Sequence, residues 1–201
     1  MKYPFFASFI VLCLLLMYEI HKRRNAEAKK YQDFWDEEAR ANSTRKKSLD
    51  DLNYIKVPVD ELPMNILSDD EKISDYQDTL RTLAKTTIVN FTGLTNTELK
   101  LKYGAPNIDI LSAYDSAYTL LARTLNDYGI ALFDNGYTSE ATTILEYAIS
   151  TNTDVSATYY TLAKIYSDAG NIEKIKELIS NASEINSPMS KIIVNKLNAY
   201  L

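Results

Sequence analysis

TLNDYGIALFDNGYTSEATTILEYAIS, residues 124–150, and TYYTLAKIYSDAGNIEKIKELISNASE, residues 158–184, carry one pattern written twice, 34 residues apart. Leu125, Tyr128, Gly129, Leu132, Gly136, Ala141, Leu145 and Ala148 of the first stretch stand over Tyr159, Leu162, Ala163, Tyr166, Gly170, Ile175, Ile179 and Ala182 of the second. Large side chains at three- and four-residue spacing place one apolar stripe on each of two helices per stretch. Small residues such as Gly129, Ala163, Ala141, Ala148 and Ala182 let the paired helices approach closely. Gly136 and Gly170 fall just past the first helix of each pair, where a left-handed cap costs little only for glycine. The expected fold is therefore all-α, with a helix-turn-helix unit in tandem.

This skeleton resembles the tetratricopeptide repeat (TPR) family, whose consensus runs W-x2-L-G-x2-Y, then A-x3-F and a closing Pro. Three departures stand out. Thr153 occupies the closing-proline position of the first copy, and Pro188 comes one place late in the second. Ile175 also replaces the small residue that usually meets the preceding helix. A partial third copy, Ile193, Leu197 and Tyr200, reads as a capping helix entered through Ser187 and Pro188. The resemblance covers about residues 122–201. It is to membrane-anchored bacterial members of the family, and it implies an α-solenoid that holds a peptide or protein on the face lined by the first helix of each unit. Carried onto this chain, the outward polar positions of those helices are Arg123, Asn126, Lys164, Lys191 and Asn195. The lysine–asparagine–arginine clamp of the best-known peptide-binding members is not reproduced.

At the other end, Tyr3 to Tyr18 form an apolar run broken only by Pro4 and Ser8. At about 1.5 Å per residue it spans roughly 24 Å of helix, to be set against a hydrocarbon core of roughly 30 Å. Tyr3, Tyr18 and neighbouring basic side chains could close that gap by snorkelling. Met17, Tyr18, Glu19 and Ile20 offer no small-residue cleavage site of the kind a secretory signal carries. The expectation is a single transmembrane anchor within residues 1–20. Lys22, Arg23, Arg24, Lys29 and Lys30 follow the run, with Lys2 before it, so the positive-inside rule puts the C-terminal domain in the cytoplasm.

Charge divides the chain. Residues 21–47 carry nine Lys and Arg against five acids, and residues 48–201 carry twelve against twenty-one. A basic stretch beside an acidic domain suits an anionic surface, whereas the acidic domain excludes nucleic acid as an expected partner. Cys13 is the sole cysteine and His21 the sole histidine. No Ser-His-Asp or Cys-His constellation can form in the C-terminal domain, nor a zinc site built from His and Cys. The five glycines make no phosphate-binding loop.

Between these ends, residues 21–47 read as a basic helix carrying Tyr31, Phe34 and Trp35. Those rings either pack on the domain or a lipid interface, or form a helical dimer seam. The sequence sets no oligomeric state. Residues 48–67 read as extended, and Leu52, Ile55, Val57 and Val59 make them too apolar for a free linker, so they should lie along a groove of the domain, the alternative being a mobile tether. Residues 68–107 read as a helical subdomain. A Ser68–Glu71 capping box opens a helix to about Val89, and a Thr95–Glu98 box opens a short one ending at Gly104. Asn107 then caps a long helix to about Phe133, within a repeat region spanning 108–201. Asp50, Asp51, Asp69, Asp70 and Glu71 sit where helix dipoles favour acids, and no metal, cofactor or catalytic residue is assigned.

The functional expectation is a membrane-tethered scaffold, not an enzyme, that binds a protein or peptide through its repeat helices. Two alternatives stay open: a purely structural domain whose groove is filled by its own residues 48–63, and an enzyme working through carboxylates.

Overall fold

The computed structural model describes residues 4–201, with side chains from residue 8 onward. In chain order the elements are α1 (Pro4–Asn42), β1 (Tyr54–Ile55), α2 (Glu71–Leu83), β2 (Ile88–Val89), α3 (Asn96–Tyr103), α4 (Ile108–Asp134), α5 (Thr138–Ser150), α6 (Ser156–Asp168), α7 (Ile172–Glu184) and α8 (Met189–Leu197). Short 3₁₀ turns precede α4 and follow α8. The protein is all-helical apart from the two-residue strands, which pair antiparallel with Tyr54 opposite Val89 and Ile55 opposite Ile88. The chain groups into two units, residues 1–47 with 96–107, and residues 48–95 with 108–201. The stretch 68–107, expected as one subdomain, is thus divided between them.

In the first unit α1 is one uninterrupted helix. The expected single-pass membrane placement, and the cytoplasmic orientation that depended on it, are corrected: among the described residues no helix is long and apolar enough to cross a membrane. Tyr3 lies outside the described residues. From Pro4 to Tyr18 the apolar part gives about 22 Å of helix, short of a hydrocarbon core of roughly 30 Å, and Glu19, His21, Lys22, Arg23 and Arg24 then follow in the same helix. Tyr31, Phe34 and Trp35 are exposed and meet each other edge to face, with centroids 5.9 Å apart for Tyr31–Trp35 and 5.4 Å for Phe34–Trp35.

The C-terminal turns of α1 pack on α3 through Ala41 and Leu99. Glu38 accepts from the Thr97 hydroxyl and pairs with Lys100 at 3.4 Å, and Lys100 also donates to Asn42 at 2.8 Å. The chain leaving α1 is stitched to the turn after α3: Ala105 N–H donates to Thr44 O at 3.0 Å and Lys47 N–H to Tyr103 O at 3.1 Å. Gly104 has φ +96°, and a Cβ there would run into the Arg45 carbonyl, so the position requires glycine. Asn107 does not cap as expected. Its amide donates to Lys47 O and Tyr103 O at 2.9 and 2.8 Å, while its buried Oδ1 has no hydrogen-bond partner among the described residues.

In the second unit the cap of α2 falls two residues later than expected, at Asp70 instead of Ser68. Asp70, in extended backbone, accepts from Ile73 N–H at 3.0 Å, while Leu67 at φ 52° makes the preceding turn that contains Ser68. The helix also ends at Leu83 rather than near Val89, because Thr86, Thr87, Ile88 and Val89 form a β-branched run that favours extended backbone. Residues 48–67 are no tether. Val57, Leu62 and Met64 are buried in a core shared with Ile73 and Leu80 of α2, Leu121 and Tyr128 of α4, and Ile144 of α5. Tyr128 donates to Pro63 O, Tyr147 to Lys56 O at 3.0 Å, and Gln77 to Ile66 O at 2.8 Å, so this segment is pinned by side chains from three helices.

A second apolar cluster, with Tyr159, Leu162, Ile175, Ile193 and Leu197 at its centre, joins α5, α6, α7 and α8. The residues of the sequence skeleton are buried, except Ile179, which is half-buried, and the turn glycines Gly136 and Gly170. Gly129 lets α4 and α5 close up: a Cβ there would sit 2.5 Å from Leu145 Cδ2. Spacing repeats in the backbone too, since α5 and α7 start and end 34 residues apart. The turns before them close identically. Tyr137 N–H reaches Leu132 O at 2.9 Å and Asn171 N–H reaches Tyr166 O at 2.8 Å, around Gly136 at φ +86° and Gly170 at φ +67°. These are six-to-one bonds of the Schellman type.

Candidate functional site

Helices α4, α6 and α8 are neighbours in series, α4 touching α6 and α6 touching α8, and they carry all five residues singled out from the sequence. Arg123, Lys164, Lys191 and Asn195 are exposed. Among the described residues no ion pair involves Arg123, Lys164 or Lys191. These are three exposed cations without a carboxylate partner, on helices that adjoin in series.

Asn126 is different. Only 8% exposed, it donates to Asp127 at 2.9 Å and accepts from the fully buried Thr158 hydroxyl at 3.0 Å. Its position on the helical wheel suggested an outward residue; the close approach of α6 turns that stripe of α4 into an interhelical contact. Lys164 in turn lies over the ring of Phe133, with Nζ 5.3 Å from the centroid, so α6 and α4 also meet through a cation–π contact. Phe133 packs against both apolar clusters. Sequence reasoning passed over it because it lies outside the repeated skeleton.

A cleft of about 270 Å³ opens on the α5–α7 side. Tyr166 donates to Glu146 at 2.5 Å, and Lys174 lies between Glu177 at 2.9 Å and Glu146 at 3.8 Å. Ile149 and Leu178 supply an apolar floor. Burial pushes the Tyr166 hydroxyl well above its ordinary value, and the Glu146 carboxylate adds to that. The hydrogen bond that Lys174 donates to Glu177, with the charges of Glu177 and Glu146, raises Lys174. Both shifts lead away from neutrality, opposite to the tuning general acid–base work requires. Nothing in the sequence marks Glu146, Lys174 and Glu177 as a set; the signal was the tyrosine spacing, read as core alone.

The acidic stretches act locally. Asp70 caps α2, and Asp50 is held by Ser48 at 2.5 Å. Among the described residues no three His, Cys, Asp or Glu side chains gather as a metal site. No protein-family model, no curated protein and no solved structure matches this chain.

Proposed function

We propose that this protein is a helical scaffold of TPR-like, solenoid architecture that binds an anionic segment of another protein across α4, α6 and α8. The observation that supports it is the double 34-residue register, in which the apolar skeleton and the glycine turns repeat together. Chains built this way bury one face of each helix pair and leave another free. On the free face Arg123, Lys164 and Lys191 carry the charge, and Asn195 adds hydrogen-bonding capacity. Asn126 holds α6 in place rather than touching the partner.

The test is site-specific photo-cross-linking from position 195, with the captured protein identified by mass spectrometry. Arg123→Glu with Lys164→Glu should abolish the specific adduct while leaving helicity unchanged, the melting temperature falling by no more than the loss of the Lys164–Phe133 contact accounts for. An adduct that survives in the folded double variant rules this face out.

A self-packed domain without a free groove is the second reading, favoured by the burial of Val57, Leu62 and Met64. Those residues cover the α2, α4 and α5 side, whereas the exposed cations are on α4, α6 and α8. The scaffold reading keeps its surface.

A further inference from the structure

The β1–β2 ladder ends after the Ile55–Ile88 pair, and a cleft of about 570 Å³ begins there. Lys56 and Val57 line it from one side, Lys85, Thr86 and Thr87 from the other. Its aromatic wall is Tyr54 with Tyr114 of α4, edge to face at 6.3 Å between centroids. The Tyr54 hydroxyl donates to Leu49 O at 2.8 Å, so this ring is fixed although it is 40% exposed. On the other side, the Tyr147 hydroxyl holds the Lys56 carbonyl at 3.0 Å.

The charge at this place runs against that of its surroundings. Residues 48–201 carry twenty-one acids against twelve Lys and Arg. Yet the charged side chains lining the cleft, among the described residues, are Lys56 and Lys85, with no carboxylate between them. The nearby Asp50 is turned onto Ser48. A volume of this size is that of a ligand site. Its walls are chain that continues two paired strands without pairing, the geometry into which extended peptides add.

We propose that this cleft receives an extended, acidic segment of a partner polypeptide, its carboxylates on Lys56 and Lys85 and an apolar side chain against the Tyr54–Tyr114 pair. The surface differs from the α4–α6–α8 face and stands or falls independently of it. Lysines beside a strand edge also serve to prevent edge-to-edge pairing, and the experiment separates the two roles.

The probe is a capped, fluorescein-labelled octapeptide alternating glutamate with leucine and phenylalanine, titrated against the full chain by anisotropy. Its counterpart carries lysine in place of glutamate. The acidic peptide should bind, weaken with added salt, and lose at least about tenfold in affinity with Lys56→Glu plus Lys85→Glu. Tyr54→Ala should lower the affinity as well, and all of these titrations are run in the Arg123→Glu, Lys164→Glu background, which removes the α4–α6–α8 face as a second site for the acidic peptide. Failure of the acidic peptide to bind, or equal binding of the lysine peptide, overturns the proposal and leaves the lysines as edge protection. So does affinity that survives Lys56→Glu with Lys85→Glu in a protein of unchanged melting temperature.

Discussion

The hydroxyl of Thr158, buried on α6, donates at 3.0 Å to Oδ1 of Asn126 on α4. Either partner alone would be a buried polar group without its bond, which costs about 1–3 kcal/mol. Asn126→Ala should therefore destabilise the protein by about that amount in urea denaturation, and Thr158→Val by a similar amount. The double variant should lose less than the sum, since each single change already abolishes the bond. If Asn126→Ala shifts stability by under about 0.5 kcal/mol, as exposed positions do, the residue belongs to the surface after all.

Gly129 and Leu145 set the distance between α4 and α5. A Cβ at 129 would lie 2.5 Å from Leu145 Cδ2 and 2.6 Å from its Cγ, and Leu145 is fully buried, so it has little room to yield. Gly129→Ala should cost about 1–3 kcal/mol from overpacking, although alanine is the better helix former. Leu145→Ala alone should cost about 2–5 kcal/mol and markedly less in the Gly129→Ala background. Additive costs in this thermal-melt cycle would contradict the close contact.

The repeated skeleton was legible because helical spacing, small residues and turn glycines are all local signals that reinforce one another. Both helix pairs and the burial of Ile193 and Leu197 follow from it. What escaped depends on contacts distant in sequence. Asn126 faces inward because Thr158 comes to it, and the β-branched run that ends α2 becomes a strand only through its pairing with Tyr54 and Ile55. At the N-terminus the charges after the apolar run read as a membrane flank, whereas among the described residues no helix is long and apolar enough to cross a membrane. The candidate surface was legible as three lysines and arginines on first helices, but the Lys56–Lys85 cleft was not, since 29 residues separate its cations.

Tyr128 anchors residues 48–67 through its hydroxyl, which donates to Pro63 O and accepts from Gln77 at 3.1 Å. Gln77 also reaches Ile66 O. Tyr128→Phe keeps the ring but leaves the Pro63 carbonyl without that donor, at a cost of about 1–3 kcal/mol. Because the loss falls on one segment, cleavage between residues 56 and 66 should speed up before the rest of the protein becomes susceptible. Limited proteolysis followed by mass spectrometry reads this directly. Uniformly faster cleavage across α4 to α8 would show instead that the segment has no separate anchorage.

Glu38 makes the α1–α3 contact sensitive to acid. The hydrogen bond from Thr97 holds its carboxyl below the usual glutamate value; partial desolvation opposes this, and Lys100 assists. A carboxylate whose value is lowered by folding adds stability above its unfolded value and loses it as pH falls through the folded one. The contact should therefore be intact at neutral pH and loosen below about pH 4.3. Hydrogen exchange over residues 38–44 and 97–103 should accelerate there relative to α6 and α7, once intrinsic exchange rates are corrected. Glu38→Gln removes the titrating group while preserving the shape, so its exchange in these segments should be raised at pH 7 and depend little on pH. If the variant keeps the acid-induced loosening of the native chain, another carboxylate governs it and Glu38 is only a neighbour.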